Sequence, residues 1–464
     1  MVEGRRLMNE RKAAQANLVP HYTKGGRWRS DFPIMESGTG CYVQDTDGNE
    51  YLDGLAGLFC TNLGHGRYDL AATAMKQMEQ LGFFPNWGFA SPPTIEAASL
   101  IAERAPEGLD EVFFVSTGSE AVESAIKFAR NYHVARGEES RYKVFARDWA
   151  YHGTTLGALS VTGIPKFRKQ FLPLLWDGVH HVPNTLDGAG EPGTPVAEWP
   201  CVAELERRII EEGPETVALI IAEPVQNGRG AVVPPDGYWD ELRRICDQYG
   251  ILLCADEVIN AFGRLGDWFG SSRLGIDPDM ITFAKGVTSA YQPLGGVVIR
   301  TSLVHETWDS ELGLFNHGST FGGHPVACAV AATTIRALED EGIIENVLAN
   351  ESYFQEHLDA MVEKHDMVKE WRGMGYFYAV ELMESRERGT ELSDDDRAVL
   401  QGGKLAEFVQ ESGLLIRPDD RGATMFVLSP PLIADRDVLD DIFFRMDRIL
   451  TSTEGWMETQ HRVG

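Results

Sequence analysis

Between residues 112 and 299, short apolar or β-branched runs alternate with helical patterns, and this alternation constrains the fold more tightly than any other feature of the chain. The runs cover 112–115, 143–146, 217–222, 251–254, 280–283 and 296–299. Between two of them Tyr238, Trp239, Leu242, Ile245, Cys246 and Tyr249 recur at spacings of three and four, which places them on one helical face. Strand and helix in alternation imply an α/β fold, a doubly wound, mainly parallel sheet with helices on both faces. Ligands of such sheets bind beyond the carboxyl ends of the strands, so chemistry is sought there.

The two ends of the chain break this rhythm. Residues 1–65 carry turn signals at Gly25-Gly26 and Asp47-Gly48-Asn49, with a hairpin-like stretch over 41–51. Beyond Pro325 comes a long helical pattern, then short strands over 376–382 and 425–428 around another helix. The expected organisation is a large domain over 66–325 and a smaller α+β lobe built from 1–65 and 326–464. The Gly- and Pro-dense stretch 187–200 is expected as a surface loop, and the acidic run after Ser393 as a helix start.

Charge and composition narrow the function. The chain has 464 residues, 43% of them hydrophobic, enough for a sizeable core. Its net charge of −28 repels phosphate backbones and anionic lipid, which argues against nucleic-acid and membrane-surface partners. No apolar run approaches the roughly 18 residues that span a bilayer. Arg5, Arg6, Arg11 and Lys12 are followed by no apolar stretch of the kind a secretory signal carries. Six cysteines without a Cys-x-x-Cys pair suggest reduced thiols in a cytoplasmic protein.

Three strand ends carry chemistry. Thr117-Gly-Ser-Glu120 follows the first run and fits a capping box, leaving the free N–H groups of a helix start, with the Ser119 hydroxyl, to receive a phosphate. Such caps also occur without a ligand. Asp256 closes another buried run, where a lone carboxylate demands a cationic partner, or else caps a helix or holds a loop. Lys285 ends a third run, where apolar surroundings would disfavour its charge and let the amine act as a nucleophile, the alternative being a solvated surface charge. Together a phosphate cradle, an acid and an amine describe pyridoxal 5'-phosphate (PLP) held by phosphate, ring nitrogen and aldehyde.

Six motifs then follow one another in order: Ser-Thr-Gly-Ser-Glu-Ala at 116–121, Tyr-His-Gly-Thr-Thr at 151–155, Glu-Pro-Val-Gln at 223–226, Asp-Glu-Val-Ile with Phe-Gly-Arg at 256–264, Phe-Ala-Lys-Gly at 283–286 and Ser-Thr-Phe-Gly-Gly-His-Pro at 319–325. Their order and spacing resemble the class III (omega) aminotransferases of the fold-type I PLP enzymes, in the amine:pyruvate branch. The resemblance implies that Lys285 carries the cofactor's aldehyde and later moves a proton, and that Asp256 keeps the pyridine nitrogen protonated. It implies that Gly118 and Ser119 bind phosphate, joined by Thr320 of a second subunit in a homodimer or tetramer. Tyr151 would stack on the ring with Val258 on the opposite face, Gln226 would reach the phenolic oxygen, and Glu223 and His152 would support the site.

On the substrate side the resemblance places a mobile, carboxylate-binding arginine at Arg417 in Leu-Leu-Ile-Arg-Pro, with Arg421 as competitor because the stretch after Arg417 is long. A guanidinium suits a carboxylate because two N–H groups meet two oxygens. Phe59 and Trp87 fall where the branch has aromatic pocket walls, and Arg229 stands where small residues are commoner. Transamination from a primary amine or omega-amino acid to a keto acid, with pyruvate as acceptor, is the implied reaction. The alternatives are another PLP reaction on the same fold (aminomutase, decarboxylase or racemase) and a non-catalytic dimer. His180, His181, His317 and His324 lack ligand spacing and are expected as loop or supporting histidines, so no metal site is expected.

Overall fold

Apolar strands of four to six residues, buried on both faces, build the central sheet of this computed structural model, which describes residues 2–30 and 32–463, and side chains over 10–30 and 32–460. The side chains of Arg5 and Arg6 lie outside that range. The sheet order is Glu111–Val115, Gly295–Ile299, Met280–Phe283, Leu252–Asp256, Val217–Ala222, Lys143–Arg147 and Val179–Val182. Gly295–Ile299 runs antiparallel to both of its neighbours, and the remaining pairings are parallel. Val179–Val182 is a strand the apolar pattern does not reveal, because its centre is His180-His181. These histidines are therefore strand residues and not loop residues.

Alternation along Val217–Ala222 divides the core. Leu219 and Ile221 pack with Val122, Ala125 and Ala129 of the helix Gly118–Ala135. Ile220 and Ala222 face the other way, against Tyr238, Trp239, Leu242, Ile245 and Cys246 of the helix Tyr238–Tyr249. Each large apolar side chain so buried contributes about 1.5–3 kcal/mol relative to exposure. Helices on both faces make this the doubly wound α/β sheet of fold-type I.

Two smaller sheets flank it. Val368–Met374, Phe377–Leu382, Met425–Leu428 and Arg417–Asp419 form an antiparallel sheet. Residues of the helices Ile343–Lys364 and Arg436–Val463, among them Phe354, Leu358, Phe443 and Met446, pack with its Tyr378 and Phe426. Met35–Thr39, Tyr42–Asp45 and Glu50–Asp53 form an antiparallel meander, and Leu414–Leu415 joins its edge in parallel. Sequence-distant ends of the chain therefore share one sheet. The single long helical pattern after Pro325 is two helices, Pro325–Asp340 and Ile343–Lys364, separated at Gly342 with φ +63°. Ser393 caps the helix Asp394–Val399, its hydroxyl accepting from Asp396 N.

Candidate active site

The carboxyl ends of the parallel strands converge on one cavity lined by Gly118, Ser119, Tyr151, His152, Glu223, Asp256, Val258 and Lys285. Each arrives for a local reason. Glu111–Val115 runs into Thr117, whose Oγ1 accepts from Glu120 N at 3.2 Å, while Glu120 Oε2 reaches back to Ser116 N at 2.7 Å. This near-capping box starts the helix Gly118–Ala135 and leaves its first N–H groups facing the cavity edge. Gly118 is required by packing: a Cβ there would lie 2.7 Å from Val258 Cγ1. Ser119 Oγ accepts from Thr154 N at 3.1 Å, which joins the cradle to the loop that carries Tyr151.

Asp256 is the last residue of its strand and is buried. Its Oδ1 accepts from Thr282 Oγ1 at 2.9 Å and Val258 N at 3.2 Å, and its Oδ2 lies 2.6 Å from His152 Nδ1. A carboxylate only accepts, so Nδ1 carries a proton and donates it, while Nε2 is buried with no partner among the described residues. Glu223 turns its carboxylate to the main chain, accepting from Tyr151 N at 2.9 Å and Asn227 N at 2.8 Å. Burial pushes its carboxyl above the ordinary range, against the pull of His152. Burial and a hydrogen bond with Tyr22 push the Tyr151 phenol up to about 12, so it stays neutral.

Lys285 follows its strand with φ +47°, a left-handed turn that a non-glycine residue adopts only under local constraint. Part of that constraint is Gly286, where a Cβ would lie 2.3 Å from Asn62 Nδ2. Burial lowers the amine's pKa, with Cys60, Asp256 and Glu223 acting in opposition and Arg417 reinforcing it. A larger neutral fraction is what a nucleophilic amine needs.

The substrate-side residues divide. Phe59 is buried, and its ring centroid lies 5.9 Å from Lys285 Nζ and 4.9 Å from Arg417 Cζ. Arg417 Nη2 donates to Asn227 Oδ1 at 2.9 Å and lies 2.8 Å from Asp419 Oδ2 as an ion pair. Arg421 is buried away from this ring, its Nε forked onto both oxygens of Asp419 at 2.8 Å. Arg229 pairs with Asp187 at 3.1 Å and donates its N–H to Arg421 O at 3.0 Å. Gln226 is buried outside the cavity lining, donating to Asp148 O and Gly228 O, with Oε1 unpartnered among the described residues. Trp87 and Thr320 are exposed and lie outside the Lys285 cavity. Trp87 instead borders a second cavity beside Gly318 and Ser319. His317 bridges Ser124 and Lys127 in a loop, and His324 caps the helix Pro325–Asp340.

A model of the family described as aminotransferase class-III matches residues 27–450. The chain belongs to the class-III aminotransferases. It is 41% identical over 439 residues to a probable aminotransferase of Mycobacterium tuberculosis, covering 94% of this chain and 93% of that one. To the putrescine–pyruvate aminotransferase of Pseudomonas aeruginosa it is 38% identical over 427 residues, covering 90% and 91%. Among solved structures it superposes with TM-score 0.90 on an (S)-enantioselective omega-transaminase of Thermomicrobium roseum, at 38% identity over 96% of this chain and 98% of that one. The omega transaminase of Pseudomonas jessenii in complex with PMP gives 0.89 at 32% identity, over 96% and 98%.

Class-III aminotransferases depend on PLP, and the donor set here fits that group: helix N–H groups with a hydroxyl for a dianion, a buried carboxylate for a protonated ring nitrogen, and an amine for an aldehyde. When bound, PLP supplies an electron sink for the electrons left at the substrate carbon when a proton departs. Asp256, fixed by His152 and Thr282, would hold the ring nitrogen, and Lys285 would present an amine to take and return that proton. Three residues escaped notice in the sequence. Asn227 adjoins Glu-Pro-Val-Gln, Asp419 lies two residues beyond Arg417 on one strand face, and Asn62 sits in a Thr-Asn-Leu-Gly turn. Only Asp419 carried a signal, its spacing.

Proposed function

We propose that this class-III aminotransferase moves an amino group from a primary amine or omega-amino acid to pyruvate by a ping-pong mechanism, the amino group resting on the enzyme between the two halves. The observation that carries this reading is that Lys285 Nζ and the Arg417 guanidinium both stand within 6 Å of one Phe59 ring, at 5.9 and 4.9 Å from its centroid. An α-keto acid has its carboxylate next to the reacting carbon, so the cation that binds it must stand close to the amine that handles the proton. The 38% identity to a putrescine–pyruvate aminotransferase supports the same acceptor.

In this reading Lys285, Asp256 and Tyr151 do the chemistry, Gly118, Ser119 and Val258 seat the cofactor, and His152 and Glu223 hold them. Gln226 stands behind the cofactor. Phe59 and Arg417 shape the substrate end. Trp87 and the Thr320 loop complete the site of a second subunit in a homodimer, supported by their exposure in one copy and their distance from its own cavity. A small lobe from 1–65 and 326–464 beside the 66–325 domain is supported by the pairing of Leu414–Leu415 with Glu50–Asp53. Unpaired thiols at all six cysteines support a cytoplasmic setting.

The test is to add amines to the PLP-loaded enzyme without acceptor. Loss of the bound aldehyde's absorbance, reversed by pyruvate with release of alanine, is expected. No loss with any amine of a broad panel would overturn transamination, and reversal by other keto acids alone would overturn pyruvate.

A further inference from the structure

The arrangement around Asp419 bears on how Arg417 is released to bind substrate, and it rests on the reading of Arg417 as the carboxylate binder. Arg417 and Asp419 lie two residues apart on the strand Arg417–Asp419, hence on one face. Arg417 Nη2 lies 2.8 Å from Asp419 Oδ2 as an ion pair and also donates to Asn227, and its Nε has no partner among the described residues. Arg421 grips the same carboxylate far more fully. Its Nε donates to both oxygens at 2.8 Å, its Nη2 to Oδ2, and its own backbone N–H to Oδ1 at 2.9 Å. Its carbonyl is in turn held by Arg229 N at 3.0 Å. Two guanidinium groups thus share one buried carboxylate, leaving one positive charge over.

We infer that Asp419 and Arg421 are positioning residues that make Arg417 transferable: Asp419 parks it as an internal stand-in for the substrate's carboxylate, and Arg421 remains as countercharge when it leaves. Were Arg417 the sole partner, its departure would strand a buried carboxylate, which is strongly unfavourable. With Arg421 in place, Arg417 exchanges one carboxylate for another and Asp419 stays paired. Asp420 pairs with Lys166, and the two act on Asp419 in opposite directions. An amine lacking a carboxylate leaves Arg417 parked, so one cavity accommodates both substrate types.

The inference makes predictions of opposite sign within one ion trio. D419N removes the competing carboxylate, so the KM for pyruvate falls; R421M leaves Asp419 dependent on Arg417, so it rises. Each change is on the order of tenfold, the scale of one charged hydrogen bond. Both are read as a ratio to the variant's own half-reaction rate with a carboxylate-free amine. The dissociation constant of butyrate, measured by cofactor absorbance, should move in the same two directions, and R421K should give a smaller rise if R421M does not fold. Shifts of the same sign in both variants, as general loosening would produce, or no shift in either, overturn the inference while leaving transamination intact. Absence of any amine half-reaction in the unmodified enzyme would instead overturn the functional reading beneath it.

Discussion

His152 Nδ1 lies 2.6 Å from Asp256 Oδ2, both groups buried, and the imidazole's fixed proton orients the carboxylate toward the cavity it lines. Asp256→Asn keeps the shape but turns one accepting oxygen into a donor facing His152 or Val258, and it loses the charge that, in the proposed function, a protonated ring nitrogen requires. kcat is expected to fall by about two to three orders of magnitude, the usual cost of removing one preorganised electrostatic contact. Steady-state kinetics with an unchanged circular-dichroism spectrum checks it, and a loss below about threefold would contradict the assignment.

In the proposed function Lys285 is both covalent anchor and proton carrier, and Lys285→Ala removes the two together. Turnover should drop by at least about three orders of magnitude, in line with the loss of a positioned acid–base group. Borohydride treatment followed by peptide mapping is the companion measurement. In the unmodified protein the cofactor's mass should appear on the peptide holding Lys285, and in the variant on no peptide.

How much of this was legible depended on range. Asp256, Lys285 and the Thr117 cap were readable because each is defined by the strand just before it, a local pattern. The partners of Arg417 were not, since Asn227 lies 190 residues away and meets it only when two sheets are assembled. Val179–Val182 was hidden for a different reason. His180 replaces an apolar side chain, stacking on Phe145 with centroids 5.0 Å apart, so burial is achieved without hydrophobic patterning. Trp87 reads by resemblance as a pocket wall, yet one copy of the chain does not bring it to Lys285, while Thr320 reads as a phosphate contact from a second subunit, which one copy does not test. The fold class, set by periodicity over many residues, was the most legible property of all.

Gly118→Ala tests the phosphate cradle. The added methyl would sit 2.7 Å from Val258 Cγ1, so either Val258 or the helix start must shift. Overpacking of this kind costs about 1–3 kcal/mol, roughly five- to 150-fold in affinity. The Kd for PLP, titrated on the apoenzyme by fluorescence quenching, should weaken within that range. An unaltered Kd would show that Val258 yields freely and that this corner is not built for the cofactor.

Arg264 is a buried cation with no carboxylate against it among the described residues. It donates to Asn62 Oδ1 at 2.8 Å, to Tyr376 O at 3.1 Å and to Pro430 O at 2.6 Å, tying three distant parts of the chain together. Burial lowers its pKa to about 9, so it remains charged at neutral pH. Arg264→Met strands three buried acceptors at about 1–3 kcal/mol each. Thermal unfolding should shift down by several degrees or more, and because Asn62 packs against Gly286, PLP retention should fall with it. A variant as stable as the parent would show that these carbonyls find water instead.

His365 supplies the pH dependence. It is buried between Asp447 at 2.9 Å and Glu454 at 2.9 Å, and links the end of the helix Ile343–Lys364 to the helix Arg436–Val463. Burial works against its charge, but the two carboxylates outweigh that and raise its pKa above the ordinary value. A group whose folded pKa is raised stabilises fully below its unfolded value, about 6.5, and loses that contribution as pH climbs through the folded value. Glu257, pushed up to about 7 by burial, adds a slope of the same sign, so the comparison must be a difference between proteins. Unfolding temperatures of the parent and of His365→Gln, measured from about pH 5.5 to 8.5, should differ most at the acid end and converge toward the alkaline end. A gap that is constant across the series would mean that the histidine contributes packing alone, and one that widens with pH would reverse the sign assigned to its ion pairs.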